Sequence, residues 1–439
     1  MVRKVYSDLE LFRQQNEELG TALPFSESTD ALKEEFTLGN KVFKNRLACQ
    51  AMEGCDGTRD GRPDELTKRR YERFAKGGAA VIWYEATAVL EEGRANPRQL
   101  YINENTLDSF KAHVEEIKET AVKATGKEPV VIMQATHSGR YSKPHGTPAP
   151  LIAYNNPIFE KDNPIDKSRI VTDEYLDRVG EALVGGAKMA ERAGFDGVDI
   201  KCCHRYLNSE LLSAYEREGR YGGSLENRTR LLRESIQGAI AGCSKNFIVS
   251  SRLNVYDGFP YPYGFGVKND GSTDVDLTEP AWLIRELYNY GVRILNITMG
   301  NPYFNPHVNR PFALGGYTAE EHPLTGVARV LEGTAKLKSL VPEMAIICSA
   351  VSYLGVAAPG VVAAYIKEGK FDFAGFGRTI FANPDFALDI INEGQLNKDK
   401  LCICCSKCTE IMRAGGTPGC VIRDKEVYAP LYKQYCAKK

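Results

Sequence analysis

Long apolar runs are missing from this 439-residue chain. None approaches the roughly 18 residues needed to cross a bilayer as a helix, so no membrane span is expected. Neither sign of charge is in excess: 56 Lys and Arg stand against 57 Asp and Glu, a net charge of -1, which gives no support to a nucleic-acid surface. The first twenty residues are charged and carry no apolar stretch of the kind that opens a secretory leader, so a cytoplasmic location is expected. In that reducing compartment the twelve cysteines do not read as a disulfide framework. Also absent are a Walker loop, a dinucleotide glycine fingerprint in strand–turn–helix context, a zincin motif and a nucleophile elbow.

What is present is an ordinary globular balance, 43% apolar and 26% charged, arranged as an alternation. Strand-like runs fall at 46–49, 79–84, 130–134, 197–201, 247–253, 293–297, 344–349 and 371–376, with helical stretches such as 65–76, 173–192 and 278–290 between them. Glycine marks several helix ends just before a strand, as at Gly77-Gly78, Gly194, Gly291 and Gly369, where it takes the left-handed conformation at little cost. Eight strands alternating with helices predict a parallel α/β sheet, and eight is the number that closes a (β/α)8 TIM barrel; a doubly wound open sheet is the rival. Residues 1–40 read as an N-terminal extension on the surface, 41–390 as the barrel and 391–439 as a cysteine-rich C-terminal tail. The third and fourth strands are joined by a long segment, 135–171, rich in Pro and Asn. Long connections inside a compact domain are usually functional.

The chemistry-bearing residues stand at strand ends. Lys201, His204 and Tyr206 follow the fourth strand and could together polarise an oxygen and deliver a proton, although a histidine with satisfied hydrogen bonds and a core tyrosine would read the same way. Ala51 and Met52 sit in a small-residue turn that lets backbone approach a flat ligand. Gln134 can pair the donor and acceptor edges of a heterocycle. Arg252, at the end of the fifth strand, fits a heterocycle carbonyl or an ion pair. The loops after the last two strands, with Ala350, Gly377 and Arg378, lie where this fold commonly binds phosphate. In the tail, Cys402, Cys405, Cys408 and Cys420 give C-x2-C-x2-C-x11-C, a set able to bind iron–sulfur or zinc, or to remain free thiols.

Taken together these strings resemble the Old Yellow Enzyme family of NADH:flavin oxidoreductases. The resemblance rests on Asn45-Arg46 with Ala51-Met52, Glu85-Ala86, Gln134 with His137-Ser138-Gly139-Arg140, Tyr221 to Arg228, and Gly377-Arg378 with Asn383-Pro384. It implies FMN at the barrel mouth, its ring held around Ala51, Met52, Ala86, Gln134 and Arg252 and its phosphate by Ala350, Gly377 and Arg378. It also implies an ene-reductase reaction: a hydride passes from reduced flavin to the β-carbon of an α,β-unsaturated carbonyl compound, Tyr206 donates the proton, and Lys201 and His204 bind the carbonyl oxygen. Lys201 departs from the His or Asn usual there. Glu53 stands where relatives often carry Thr, Cys or His; facing inward it would disfavour the reduced anionic flavin, facing outward it would do nothing.

The tail is similar to the iron–sulfur segment of the 2,4-dienoyl-CoA reductase branch, which implies a 4Fe–4S cluster. Its middle spacing is one residue shorter than in that branch, and Cys404 could replace a neighbour. That branch continues into FAD and NAD(P) domains, which the 439 residues do not accommodate. The reductant expected is therefore NAD(P)H itself or a separate electron-donor protein. The alternative function is a flavin/iron–sulfur electron-transfer subunit; a tRNA-modifying flavin barrel and a barrel lyase or aldolase are weaker rivals. The segments 135–171 and 300–316, with Tyr303, Phe304 and His307, and the N-terminal arm are expected to shape the alkene pocket. A homo-oligomer is compatible with all of this.

Overall fold

The computed structural model describes residues 3–436. A short antiparallel hairpin, β1 (Phe36–Leu38) and β2 (Lys41–Phe43), precedes the barrel strands β3 (Leu47–Cys49), β4 (Val81–Ala88), β5 (Val130–Thr136), β6 (Gly197–Ile200), β7 (Ile248–Ser250), β8 (Arg252–Asn254), β9 (Ile294–Thr298), β10 (Ala345–Cys348) and β11 (Phe373–Phe376). All neighbours in the barrel are parallel. The strands β7 and β8 are one strand interrupted at Ser251: the first half pairs with β6 and the second with β9, so nine segments close eight staves. The interruption has a visible cause. The buried Asp199 carboxylate of β6 accepts the Arg252 N–H at 2.6 Å and takes the place of a ladder carbonyl.

The chain therefore forms the expected (β/α)8 barrel. Its interior is filled by Phe43, Ala48, Val81, Trp83, Ile132, Ile294, Ile347 and Phe373, all buried. The hairpin plugs one end, where Phe36 and Phe43 meet Phe373 edge-on at 5.1 Å. Each such ring taken from water contributes about 1.5–3 kcal/mol. A second, larger cluster fills the space between staves and helices. Glycine sets the helix-to-strand returns, as at Gly291 (φ 113°), which ends Thr278–Tyr290 three residues before β9.

Two expectations are corrected. The N-terminal segment is no loose surface arm. Tyr6 and Phe12 are buried, and Tyr6 sits 5.7 Å edge-on to Tyr353 while its carbonyl accepts the Val356 N–H at 2.8 Å. The connection 135–171 is also not structureless. Arg140 ties it to Glu160 (2.7 Å) and Glu210 (2.6 Å), and it carries the short helix Pro157–Glu160. The run predicted at 79–84 extends to Ala88 through a bulge at Glu85, whose N–H donates to the Tyr71 hydroxyl at 2.7 Å.

Candidate active site

The C-terminal ends of the strands surround a cavity of about 1090 Å³. Every barrel residue given a catalytic or cofactor-binding role from sequence lines it: Ala51 and Met52 after β3, Ala86 on β4, Gln134 on β5, Lys201, His204 and Tyr206 after β6, Arg252 on β8, Ala350 after β10, and Gly377 with Arg378 after β11. Seven of the eight staves thus bring these residues to one space, and the loop after β9 adds Tyr303, as closure of the barrel requires.

One wall is built to meet a polar edge. Asp199 accepts from the Gln134 side-chain amide at 2.6 Å and from the Trp83 indole at 2.7 Å, which fixes Gln134 at the rim. Arg252 donates to the Ala51 carbonyl at 3.3 Å, and its Nε has no hydrogen-bond partner among the described residues. Behind Gln50, which lines the cavity, Asn296 exchanges side-chain amide hydrogen bonds with it at 3.0 and 2.8 Å. Gly377 lies against Met52, its built Cβ position 3.6 Å from the Met52 sulfur.

Between the Gln134 and Arg252 staves, the turn after β6 is strained. His204 (φ 64°) and Arg205 (φ 58°) are consecutive non-glycine residues in the left-handed region, a conformation that persists only where the surroundings enforce it. Arg205 supplies that force. Fully buried, it donates to Asp257 at 3.0 Å and to the Tyr154 hydroxyl at 2.9 Å, which turns His204 and Tyr206 into the cavity. Burial, then the nearby Arg252 and Lys201 charges, hold His204 far below the usual imidazole range, so the ring is neutral. Its Nε2 has no partner among the described residues.

Tyr206 Oη lies 2.9 Å from Tyr303 Oη and 3.4 Å from Glu53 Oε2, while Lys201 Nζ stands 3.7 Å over its ring. Burial, then Glu53, push the Tyr206 hydroxyl well above the usual phenol range, so it holds its proton. Glu53 faces inward. Burial raises its pKa, and Lys201, Tyr206 and Asn96 (3.0 Å) pull the other way. Burial lowers Lys201, partly offset by Cys203 and Glu53.

At the far end the cavity is cationic. Arg378 gives one nitrogen to the Pro311 carbonyl at 2.6 Å, and neither its Nη1 nor Ser349 Oγ has a hydrogen-bond partner among the described residues. Arg310 lies beside it, held down to about 10 by burial and then by the Arg378 charge. Two guanidiniums and an orphaned hydroxyl form an anion pocket in its chemistry. Ala350 (φ 71°) and Gly377 complete its backbone rim.

A smaller cavity of about 370 Å³ adjoins this end, sharing Arg378, Phe381 and Cys408 with the first. Cys402, Cys404, Cys405, Cys408 and Cys420 all line it. Cys404 is lowered by a hydrogen bond from Cys402, and Cys402 is raised for the same reason. Burial works against the Arg378 charge, but four of these thiols outweigh it. Among the described residues no three His, Cys, Asp or Glu side chains converge on one point that would hold a single metal ion.

Sequence reasoning missed the roof. The tail supplies Cys408, Thr409, Met412, Arg413 and Pro418 to the main cavity, and Arg310 went unremarked. The arm 1–40 contributes nothing to this lining, and the 135–171 segment lines an adjoining chamber instead. Phe304 packs on Phe159 and Phe259, and His307 on Tyr317, so of the three residues named in 300–316 only Tyr303 reaches the cavity. The string Tyr221–Arg228 lies elsewhere; Arg228 clamps Glu279 at 2.6 Å.

The fold is shared with solved barrel structures. A 2-naphthoyl-CoA reductase superposes with a TM-score of 0.72 at 19% identity, covering 92% of this chain and 58% of that one. An old yellow enzyme homologue from Zymomonas mobilis superposes with a TM-score of 0.61 at 21% identity, over 84% of this chain and 94% of that one. Residues 32–264, just over half of the chain, match the NADH:flavin oxidoreductase / NADH oxidase family, and the chain belongs to that family. It is an FMN oxidoreductase. An NADPH dehydrogenase of Clostridium acetobutylicum is 25% identical over 371 residues, 83% of this chain and 96% of that one. Among the described residues no helix is long and apolar enough to cross a membrane.

Proposed function

We propose that the protein reduces a carbon–carbon double bond conjugated to a carbonyl, with Tyr206 as proton donor. One observation carries this reading: a buried, protonated phenol stands in the cavity wall with a lysine and a neutral histidine beside it. Electron transfer alone needs no such acid, which is the argument against a pure electron-transfer subunit.

The residues present fit FMN. The orphaned Arg252 Nε and the Gln134 rim suit the polar edge of its ring, with Ala51, Met52 and Ala86 as the flat surround. Arg378, Arg310, Ser349, Ala350 and Gly377 suit its phosphate. Bound there, FMN supplies two-electron hydride chemistry, with NAD(P)H as the reductant. Lys201 and His204 bind the substrate's carbonyl oxygen and stabilise the enolate charge that develops on it. Tyr206 Oη gives its proton to the α-carbon, and Tyr303 Oη, 2.9 Å away, is placed to return one. Glu53 accepts from Tyr206 and orients it.

The cysteine cavity is read as a 4Fe–4S site held by Cys402, Cys405, Cys408 and Cys420, with Cys404 as the competing ligand. Its support is that all five thiols line one small space. Such a cluster would accept electrons from a separate donor protein. Iron and acid-labile sulfide analysis of anaerobically purified protein tests it: about four of each per chain supports the assignment, and none removes it.

For the reaction itself, Tyr206→Phe is expected to slow re-oxidation of the reduced enzyme by an enone about 10²–10⁴-fold. Reduction by NADPH should proceed as in the parent. Equal re-oxidation rates would remove Tyr206 from its role.

A further inference from the structure

A second, open chamber of about 1450 Å³ adjoins the active-site cavity, and Glu53, Tyr303, Met412 and Arg413 line both. The passage between them therefore lies at the Tyr206 hydroxyl, which touches Glu53 and Tyr303. A molecule whose reacting carbons lie under Tyr206 and which is larger than the inner space has this chamber into which to extend.

Its charge is lopsided in a chain whose net charge is only -1. Five cations line it, Arg59, Arg98, Arg140, Lys143 and Arg413, and the one carboxylate among its described lining residues is Glu53, at the inner end. Not all five are available. Arg140 is spent on Glu160 and Glu210. Arg98 donates to the Gly57 and Asp56 carbonyls at 2.9 and 3.0 Å and reaches Asp64 at 3.3 Å. Among the described residues Arg413 holds only the Pro302 carbonyl, at 3.2 Å. The Arg59 and Lys143 side chains have no partner among the described residues. Like charges gathered on a concave wall whose single acid stands at its inner end repel one another, and an anion relieves that repulsion.

We infer that the substrate is an anion: its unsaturated carbonyl sits under Tyr206, while a carboxylate or phosphate at its distal end is held in this chamber by Arg59, Lys143 and Arg413. This rests on the ene-reductase reading and adds a substrate class to it. The site makes no use of the anion in the chemical step. It holds the distal end and so positions the alkene, which is binding energy applied away from the reacting centre.

The test compares three alkenes with the reduced FMN-loaded enzyme: neutral cyclohex-2-enone, an aryl enone bearing a distal benzoate, and crotonyl-coenzyme A, whose phosphates lie on a carrier. In the parent protein at least one anionic alkene is expected to exceed the neutral one about tenfold or more in kcat/KM, and that advantage should shrink in about 0.5 M NaCl. Preference for the benzoate identifies a carboxylate of the substrate itself; preference for the thioester identifies carrier phosphates. In the double variant Arg59→Gln/Lys143→Gln, the ratio of anionic to neutral kcat/KM should fall about tenfold through KM. A neutral enone as good as both anions, or a ratio that survives the double variant, overturns the inference and leaves the ene-reductase reading standing. If no alkene re-oxidises the enzyme, it is that reading which fails. The chamber is then tested by flavin difference spectra during titration of the oxidised enzyme with the same two anions: affinity lost about tenfold in the double variant supports it, and equal affinity rejects it.

Discussion

Tyr206 owes its position to its neighbour. Arg205 is held by Asp257 and Tyr154 in a region of backbone space that side chains avoid, and the residues on either side turn inward as a result. This explains how Lys201, His204 and Tyr206, read as a mere cluster from their spacing, come to share one wall. Lys201 is the departure from the family pattern, and its charge has a definite use if a carbonyl oxygen lies beside it. Lys201→Met is expected to lower kcat/KM for an enone about 10²-fold or more through loss of enolate stabilisation; an undiminished value would remove the lysine from the reaction. A second residue-scale effect concerns His137, held down to about 4 by burial. Its Nδ1 accepts the Gly139 N–H at 3.1 Å, an interaction that protonation abolishes. An unfolded chain binds a proton at His137 below about pH 6.5, and the folded one only near 4. Its stabilising effect is thus complete above pH 6.5 and is lost as pH falls toward 4, by roughly 3 kcal/mol in all. Glu85, raised to about 7 by burial, acts in the opposite sense over part of this window. The measurement is therefore a difference: urea midpoints of the parent should fall more steeply from pH 6.5 to 4 than those of His137→Gln. Parallel slopes would contradict it.

At the scale of elements, the turn after β3 shows why one glycine matters. Glu85, in the β4 bulge, accepts the Gly54 N–H at 2.7 Å, and Arg70 bridges Glu85 and Asp56 from the helix Glu65–Lys76, all buried. A Cβ on Gly54 would fall 2.1 Å from the Arg70 guanidinium. Gly54→Ala is expected to break this buried pair, at a cost of about 3–5 kcal/mol, and to release Met52 and Glu53 from the cavity wall. Thermal unfolding and flavin retention on dialysis measure both; a variant with the parent's melting temperature would refute the clamp. This element also marks where sequence reading stopped. The staves were legible because short apolar runs are bounded by glycine, and their ends bring eleven residues named from sequence to one cavity. The bulge was not, because Glu85 in an apolar run looks like a strand end until Arg70, fifteen residues earlier, is brought beneath it.

At the scale of the whole molecule, the described segments before and after the staves both pack on the barrel. Tyr6 and Phe12 dock the start of the chain against the 351–357 turn, and the tail crosses the mouth to roof the cavity. Asp424 ties that tail down, accepting from Arg69 at 2.8 Å and Arg73 at 2.9 Å. None of this was readable locally. Polar segments with scattered aromatics are ordinary surface until something far away in sequence covers them, and no spacing rule says that Cys408 belongs to two cavities at once. Those two cavities share Arg378, so the anion pocket and the thiols act on one buried charge.

The most direct test is a single anaerobic mixing experiment. Parent protein and Tyr206→Phe, each reduced to the colourless flavin by NADPH, are mixed with an enone in deuterated water, and return of the yellow absorbance is followed while the product is analysed by mass. The account predicts rapid re-oxidation by the parent with one deuterium at the α-carbon, and re-oxidation slowed about 10²–10⁴-fold in the variant. A protein that binds no flavin, or a variant as fast as its parent, would contradict it.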